Sequence, residues 1–266
     1  MKETTEHYID KDSDYLKREI NSFQKLWRGG FCRSNRLGGW EGSVAEQREW
    51  EYSDLNKISE ICIKPFINEN TNCLDIGTDG GVWMTQMVGA NSITGLECRP
   101  AEATNFWSNV NKWLGEQRGY DTNKVKYVLD QDFSCDGLEE QSINYVFSYD
   151  VFCHISYSGT RKYLKNLFPK LQEGTNLFIM IADPDKYQNA RMRASQTQSK
   201  HRPAGPYESW EECVNDWDGE PHPGRWYFYG TERFCEAAEE FGYVIKDEDI
   251  IGAYDKNSPI IHFTKE

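Results

Sequence analysis

Residues 73–81 read CLDIGTDGG, an apolar run that reaches Asp75 and continues directly into a glycine-rich turn. The next apolar run, SITGLE at residues 92–97, ends in a second acid, Glu97, 22 residues after Asp75. Glycine has no Cβ and lets the backbone approach a ligand closely, and an acid one strand over accepts the two hydroxyls of a ribose. The stretch therefore predicts two parallel strands with a nucleoside-cofactor site at their ends.

The turn departs from the pattern that binds a pyrophosphate. That pattern is G-x-G-x-x-G at the start of a helix, where bare amides face the anion, whereas here Asp79 stands where a second glycine is expected. The added carboxylate repels phosphate. S-adenosylmethionine (SAM) has no phosphate and carries a positive sulfonium and ammonium, so the acidic turn favours SAM. For the turn alone, an ordinary glycine turn of an α/β protein stays open as an alternative.

The D-x-G-x-x-G-G arrangement resembles motif I of class I SAM-dependent methyltransferases. The resemblance implies that Asp75 and Gly77 lie near the methionine end of SAM and that Glu97 binds the ribose. It also implies that Thr78 and Gly80 complete the cofactor-binding turn.

Later strands extend this resemblance over roughly residues 50–183. A third strand at 124–129 leads to Asp132 and Phe133, which the resemblance places on the adenine amine and on the adenine face. A fourth strand at 143–150 contains Tyr149, also expected at the cofactor. Further strands are predicted at 177–183, after a turn at Glu173-Gly174, and at 243–250 and 259–263.

The resemblance implies an α/β fold, a Rossmann-like doubly wound sheet of seven strands in the order 3-2-1-4-5-7-6. We expect an N-terminal helical cap at 1–70 and a SAM-binding domain at 71–266 with an insertion at 184–229. Periodicity and capping residues predict helices at 13–27, 53–67, 81–89, 100–118, from Ser156 or Ser158 to about 170, and from Thr231 to 241. The cap is expected to act as a lid, with Trp40 in its glycine-rich loop as a substrate contact. A purely structural cap is equally compatible with the sequence.

Composition limits the classes of partner. The net charge of −13 repels a nucleic-acid backbone, so a small-molecule substrate is expected and no nucleic acid. No apolar run approaches the ~18 residues that span a bilayer, and residues 1–6 lack the apolar stretch of a secretory signal. We expect no membrane partner and a cytoplasmic location; the oligomeric state is not predicted. The eight cysteines include no C-x-x-C pair and favour reduced core thiols over disulfides or zinc.

Catalytic residues are expected just after the fourth strand, because ligands bind outside the carboxyl ends of strands near the point where strand order reverses. There the sequence reads DVFCH, residues 150–154. His154 is the candidate general base for a hydroxyl acceptor, and Asp150 either orients it or holds the methionine ammonium. The D-x-F-x-H stretch resembles small-molecule and sugar O-methyltransferases. A structural histidine under the substrate loop is the alternative.

Two further signals concern metal and substrate. Asp150, Asp183 and Asp185 offer oxygen ligands for Mg²⁺, a site that we do not favour because acidic strand ends are common in solvated loops. The insertion concentrates positive charge, and Arg191 or Arg193 is predicted to clamp an anionic substrate. The alternative is a solvated basic loop paired with acidic neighbours. The cluster comprises Lys186, Arg191, Arg193, Lys200, His201 and Arg202.

The sequence therefore predicts a SAM-dependent O-methyltransferase that acts on a small polar acceptor, a carbohydrate or nucleotide-linked sugar. Methylation of a phosphate-type or amine acceptor is the nearest alternative. A non-catalytic SAM-binding module is a second, invited by Asp79. A dinucleotide oxidoreductase is a third, and the acidic turn disfavours it.

Overall fold

The computed structural model of the chain describes residues 8–26, 54–183, 212, 215–221, 225–252 and 258–266. Trp40, Arg191 and Arg193, predicted to contact substrate, lie outside these residues. So do Asp185 and the remaining residues of the basic cluster, Lys186, Lys200, His201 and Arg202.

Seven strands form one sheet within the described residues. They are β1 (Asn72–Ile76), β2 (Ser92–Glu97), β3 (Val125–Leu129), β4 (Ile143–Ser148), β5 (Leu171–Met180), β6 (Tyr243–Asp247) and β7 (Ile260–Lys265). Their order is β3-β2-β1-β4-β5-β7-β6. β7 is antiparallel to β5 and β6, and the other neighbouring strands are parallel. The predicted α/β Rossmann-like fold and its strand order are confirmed.

The α-helices of the described residues are α1 (Ser13–Leu26), α2 (Asp54–Ile58), α3 (Phe106–Asn109), α4 (Tyr157–Leu167) and α5 (Gly230–Glu240). Shorter turns continue several of them. π-helical turns lie at Ser59–Ile63 and Val110–Glu116, and 3-10 turns at Lys64–Phe66, Trp83–Gln86, Ala101–Thr104, Thr122–Lys124, Phe152–His154 and Phe168–Lys170. No helix of the described ranges is long and apolar enough to cross a membrane.

The connections between the first three strands hold less α-helix than predicted. In place of the helix at 81–89 there is one 3-10 turn, because Gly81 and Gly89 have left-handed backbones (φ +82° and +121°) that stop a helix at either end. The helix at 100–118 is broken at Asn105, whose φ of +55° separates a 3-10 turn from α3. Pro65 lies in the 3-10 turn that ends the helical segment after α2.

The strand ends also differ from the prediction. The turn expected at Glu173-Gly174 is an irregularity inside β5, where Gly174 has φ +77° and the register against β4 shifts between Leu171 and Asn176. β4 ends at Ser148 rather than at 150, because Asp150 adopts φ +60° and turns the chain away from the sheet.

Both faces of the central sheet are buried, as a parallel sheet requires. Alternate residues of β1 separate into the two cores: Leu74 and Ile76 pack in one, and Cys73 packs in the other. The six described cysteines are free, and all but Cys98 are buried, as expected of core thiols. Cys32 and Cys213 lie outside the described residues.

Helix α1 packs into the sheet's main core through Tyr15, Leu16 and Ile20. It also buries Glu19 completely. The Glu19 carboxylate accepts hydrogen bonds from the backbone N–H and the hydroxyl of Ser156, the N-cap of α4. Burial raises the pKa of Glu19 to about 7, although the Ser156 hydrogen bonds and the charge of Arg225 lower it. Helix α1 is therefore tied to the segment that follows the fourth strand.

Glu19 makes stability depend on pH. Its folded pKa of about 7 exceeds the unfolded value near 4.5, so the folded state keeps a proton that the unfolded state loses in this window. The contribution of Glu19 to the free energy of unfolding therefore falls as pH rises from about 4.5 to 7. We expect Glu19→Gln, which cannot ionise, to gain stability over wild type by up to roughly 3 kcal/mol above pH 7, measured by urea unfolding at about pH 5 and pH 8.

The matched control is Glu220→Gln, since Glu220 pairs with Arg18 of α1 but its side chain is 70% exposed. It should leave the stability difference from wild type the same at both pH values. A Glu19→Gln difference that does not grow with pH would contradict the assignment.

Candidate functional site

The turn after β1 is built around Asp75 and Gly77. The Asp75 side chain is buried, and its Oδ2 accepts a hydrogen bond of 2.8 Å from the Thr78 hydroxyl. Gly77 has φ +70° and donates its N–H to the carbonyl of Leu96 in β2. A Cβ at Gly77 would lie 2.3 Å from Cγ2 of Val151, so glycine is required there by both backbone and space. Gly80 is held by Asn109, whose side-chain amide donates to its carbonyl.

Asp79 replaces a glycine without disrupting the turn. Its φ of +49° lies in the left-handed region, which aspartate tolerates better than most residues. The Asp79 N–H donates to Oε2 of Glu97 at 3.0 Å, which links the turn to the end of β2. Arg99 then bridges the two acids: its Nη2 lies 2.9 Å from Oδ1 of Asp79, and its Nε lies 3.3 Å from Oε1 of Glu97. Sequence reasoning singled out both acids and missed Arg99, because nothing in the pattern shows which side chain lies between them.

The site is strongly acidic. Burial raises the pKa of Asp75 to about 7; the Thr78 hydrogen bond lowers it, while the charges of Glu97 and Asp79 raise it further. Three carboxylates within one turn and one strand end disfavour an anionic ligand and stabilise a cation. These three carboxylates fit a ligand that has a ribose diol and a positive charge. They do not fit a pyrophosphate.

The segment after β3 is held by an acid that sequence reasoning missed. Asp130 is buried, and its carboxylate accepts hydrogen bonds from the backbone N–H groups of Asp132, Ser134 and Cys135. This leaves Asp132 exposed at the end of the sheet, consistent with a role toward adenine. Phe133 is different. Its side chain is 1% exposed and packs edge-on against Tyr163, and its assignment to the adenine face stays a prediction.

Phe133 is turned inward by the backbone. Its φ is +59°, and its carbonyl accepts a hydrogen bond of 2.8 Å from Asn166 of α4. The left-handed residue reverses the direction of the side chain relative to an extended strand. The Phe133 side chain therefore packs in the hydrophobic core.

His154 and Asp150 meet directly after β4. The Nδ1 of His154 lies 2.8 Å from the carbonyl oxygen of Arg225. Because a carbonyl only accepts, Nδ1 carries the proton, and the lone pair of the neutral ring lies on Nε2. That Nε2 lies 3.8 Å from Oδ1 of Asp150, too far for a hydrogen bond between them. Two acceptor atoms thus flank a position suited to a proton donor.

The insertion supplies the partners of His154. Trp226 lies edge-on to the imidazole with ring centroids 5.5 Å apart, and Arg225 provides the orienting carbonyl. The Arg225 side chain is buried and donates to the carbonyls of Glu220 and Asp216. Sequence analysis could not pair residue 225 with residue 154, since the pairing depends on the return path of a long connection. Tyr149 is partly buried, with its ring 5.3 Å from that of Trp83.

Among the residues that the structure describes, one group of three side chains has donor atoms placed for a metal ion. Asp150, Cys153 and His154 bring their ligand atoms within 4.8 Å of one another. The sulfur makes this set unlike the oxygen ligands of Mg²⁺. Burial also raises the pKa of the Cys153 thiol well above its usual range, which keeps it protonated.

Asp183, considered for the Mg²⁺ site, has a structural role. Its Oδ2 accepts hydrogen bonds from the backbone N–H and the hydroxyl of Thr231 in the first turn of α5. A carboxylate at that position stabilises the start of the helix.

Comparison with known proteins identifies the family. A family model described as Methyltransferase domain matches residues 45–248, more than half of the 266-residue chain. The chain belongs to this methyltransferase family. With the observed strand order and the acids at the ends of β1 and β2, it is a class I SAM-dependent methyltransferase whose cofactor is SAM. A search among curated proteins finds no match to its sequence.

Solved structures share the fold of the methyltransferase at low sequence identity. The PH0226 protein from Pyrococcus horikoshii OT3 has a TM-score of 0.57 at 12% identity, covering 88% of this chain and 97% of that one. A geranyl diphosphate methyltransferase in complex with SAM has a TM-score of 0.55 at 10% identity, covering 88% and 94%. A SAM-dependent methyltransferase from Methanosarcina mazei has a TM-score of 0.51 at 13% identity, covering 76% and 96%.

The ionisation of Asp75 should control cofactor affinity. With its pKa near 7, Asp75 is neutral in much of the free protein below that pH and charged above it. Because SAM is a cation, we expect its affinity to rise as pH increases from about 6 to 8, and Asp75→Asn to bind weakly with little pH dependence. Isothermal titration calorimetry across this range tests it. Asp136→Asn, at an exposed position outside the site, should behave as wild type, and an unchanged pH profile in Asp75→Asn would refute the assignment.

Proposed function

We propose that the methyltransferase transfers a methyl group to a hydroxyl of a small polar acceptor, a carbohydrate or its nucleotide-linked form. The observation that carries this proposal is the pair of acceptor atoms, Nε2 of His154 and Oδ1 of Asp150, 3.8 Å apart. The other ring nitrogen is committed to the Arg225 carbonyl. A hydroxyl donates one proton and needs an acceptor for it, which this arrangement provides.

Cofactor binding is assigned to the ends of the strands. Glu97 would hold the ribose, Asp75 and the Gly77 turn the methionine end, and Asp132 the adenine amine, with Tyr149 beside them. When bound, SAM supplies an electrophilic methyl group on a positive sulfur. The protein's own contribution is to align the acceptor oxygen and to remove its proton.

The proton has a defined path in this proposal. SAM, when bound, would supply its methyl group to the acceptor oxygen and leave as the neutral thioether, and the hydroxyl proton would pass to Nε2 of His154. The resulting imidazolium is stabilised by Asp150, which lies within ion-pair distance. Asp150 has a left-handed backbone, φ +60°, and its Oδ1 lies 3.8 Å from Nε2 of His154.

The acceptor class is supported by aromatic and polar groups of the insertion. Trp226 stands beside His154 and offers an apolar surface on which a sugar ring can pack. Arg191, Arg193 and Trp40 are assigned to the substrate, with the arginines toward an anionic group such as a nucleotide diphosphate. The cap at 1–70 is assigned as the lid, the domain at 71–266 as the SAM-binding unit with its insertion at 184–229, and the cytoplasm as the location.

The alternatives differ in what they require of His154. A phosphate oxygen needs no base, and an amine must lose its proton before transfer, whereas a hydroxyl loses it during transfer. A binding module without turnover requires no base. Asp79, the feature that invited the binding-module reading, is accommodated by Arg99 and by a tolerated left-handed backbone.

Substitution of His154 tests the proposal. We expect His154→Gln to lower kcat by about 10²–10⁴-fold with nucleotide-linked sugars or free sugars as acceptors, because the proton acceptor is lost. The dissociation constant of S-adenosylhomocysteine (SAH), measured by calorimetry, should stay within about twofold, since His154 lies outside the cofactor turn.

His262→Gln is the histidine control, because His262 lies on β7 and bonds to Asn176 away from the site. It should retain wild-type kcat. Full activity of His154→Gln would favour the phosphate-type acceptor, and SAH binding without turnover on any acceptor would favour the binding module.

A further inference from the structure

Glu97, assigned to the ribose, is held by several donors. Its Oε1 accepts from the backbone N–H of Cys98 at 2.9 Å, from the Cys98 thiol at 3.2 Å and from Nε of Arg99 at 3.3 Å. Its Oε2 accepts from the N–H of Asp79 at 3.0 Å and from Nη2 of Arg99 at 3.3 Å. A carboxylate has about four lone-pair positions. Five hydrogen-bond contacts already use these positions. Two ribose hydroxyls can therefore donate to Glu97 only if they replace some of these contacts.

The Arg99 contacts are the ones suited to replacement. At 3.3 Å they are the longest on Glu97, whereas the backbone N–H contacts are shorter and belong to the fixed turn and strand end. The positive charge of Arg99 also competes with the ribose, because a guanidinium bound to the Glu97 carboxylate weakens the attraction of that carboxylate for other hydrogen-bond donors. An arginine here would lower the affinity for ribose unless it had another partner.

Asp79 is that partner. Nη2 of Arg99 lies 2.9 Å from Oδ1 of Asp79, closer than the 3.3 Å that separates it from Oε2 of Glu97. Arg99 is anchored at its backbone, where its carbonyl accepts the Tyr127 hydroxyl, so the guanidinium exchanges between two acceptors without moving the chain. The Asp79 side chain is 27% exposed and that of Arg99 is 7% exposed, so the pair is shielded but reachable from the cleft.

We propose that Asp79 and Arg99 form a coupled positioning pair for the cofactor ribose: Asp79 draws the Arg99 guanidinium aside and leaves the Glu97 carboxylate to the ribose diol. Asp79, which departs from the glycine pattern, and the buried Arg99 then act together on Glu97. If Asp79 is removed, Arg99 competes with the ribose for Glu97. The inference rests on the proposed assignment of Glu97 to the ribose, and it does not depend on the proposed acceptor.

The test is a comparison of single and double variants by calorimetry with SAH. Asp79→Gly removes the partner at no backbone cost, since glycine adopts a φ near +49° freely. We expect it to weaken SAH binding about tenfold, or ~1.4 kcal/mol. The double variant Asp79→Gly/Arg99→Gln removes the competitor as well and should return to within about threefold of wild type. Asp79→Asn, which keeps a left-handed backbone and a weaker acceptor, should fall between wild type and Asp79→Gly.

A second ligand separates positioning from general damage to the turn. An SAH analogue that lacks both ribose hydroxyls makes no demand on Glu97, so its dissociation constant should be the same for wild type and Asp79→Gly. In steady state, Asp79→Gly should raise KM for SAM with little change in kcat. Equal weakening of SAH and the analogue, or a double variant no better than Asp79→Gly, would overturn the proposal. These binding measurements contain no acceptor, so their failure is distinguishable from a wrong acceptor assignment.

Discussion

Parallel pairing of β1 with β2 and with β4 is the constraint on which the site depends. The register places Asp75 opposite both Gly95 and Phe147, so the chain leaves the three strands at one edge of the sheet. Carboxyl ends of parallel strands are where backbone groups remain available and where connections are free to vary. Asp75 of β1 and Glu97 of β2 therefore lie at the same end of the sheet as the segment after β4 that carries Asp150 and His154.

Buried polar contacts fix the segments that follow β4 at this edge of the sheet. Glu19 of α1 accepts hydrogen bonds from Ser156, the N-cap residue of α4, and Arg225 orients His154 through its backbone carbonyl. Both partners are remote in sequence from the residues they position. A buried carboxylate costs stability when it ionises, which the raised pKa of Glu19 reflects. This cost falls at the start of a helix that follows directly after the segment with Asp150 and His154.

Charge is distributed in the site according to the ligand. Asp75, Asp79 and Glu97 together make the turn negative, which suits a cationic cofactor. Arg99 lies between Asp79 and Glu97, and its positive charge offsets their mutual repulsion. The acidic turn and its arginine are best considered as one unit.

The sequence by itself determined the strands and the acids at their ends, because those depend on short apolar runs and on turns that need glycine. The α/β fold and the strand order were implied by the resemblance of its motifs to class I SAM-dependent methyltransferases. The sequence did not determine the inward direction of Phe133 or the broken helix at Asn105, since each results from a left-handed residue that is not glycine. The Arg99 bridge and the pairing of Arg225 with His154 were decided by tertiary structure alone. Such contacts join residues that are far apart in sequence. The local secondary-structure propensity of a residue carries no information about which distant residue will contact it.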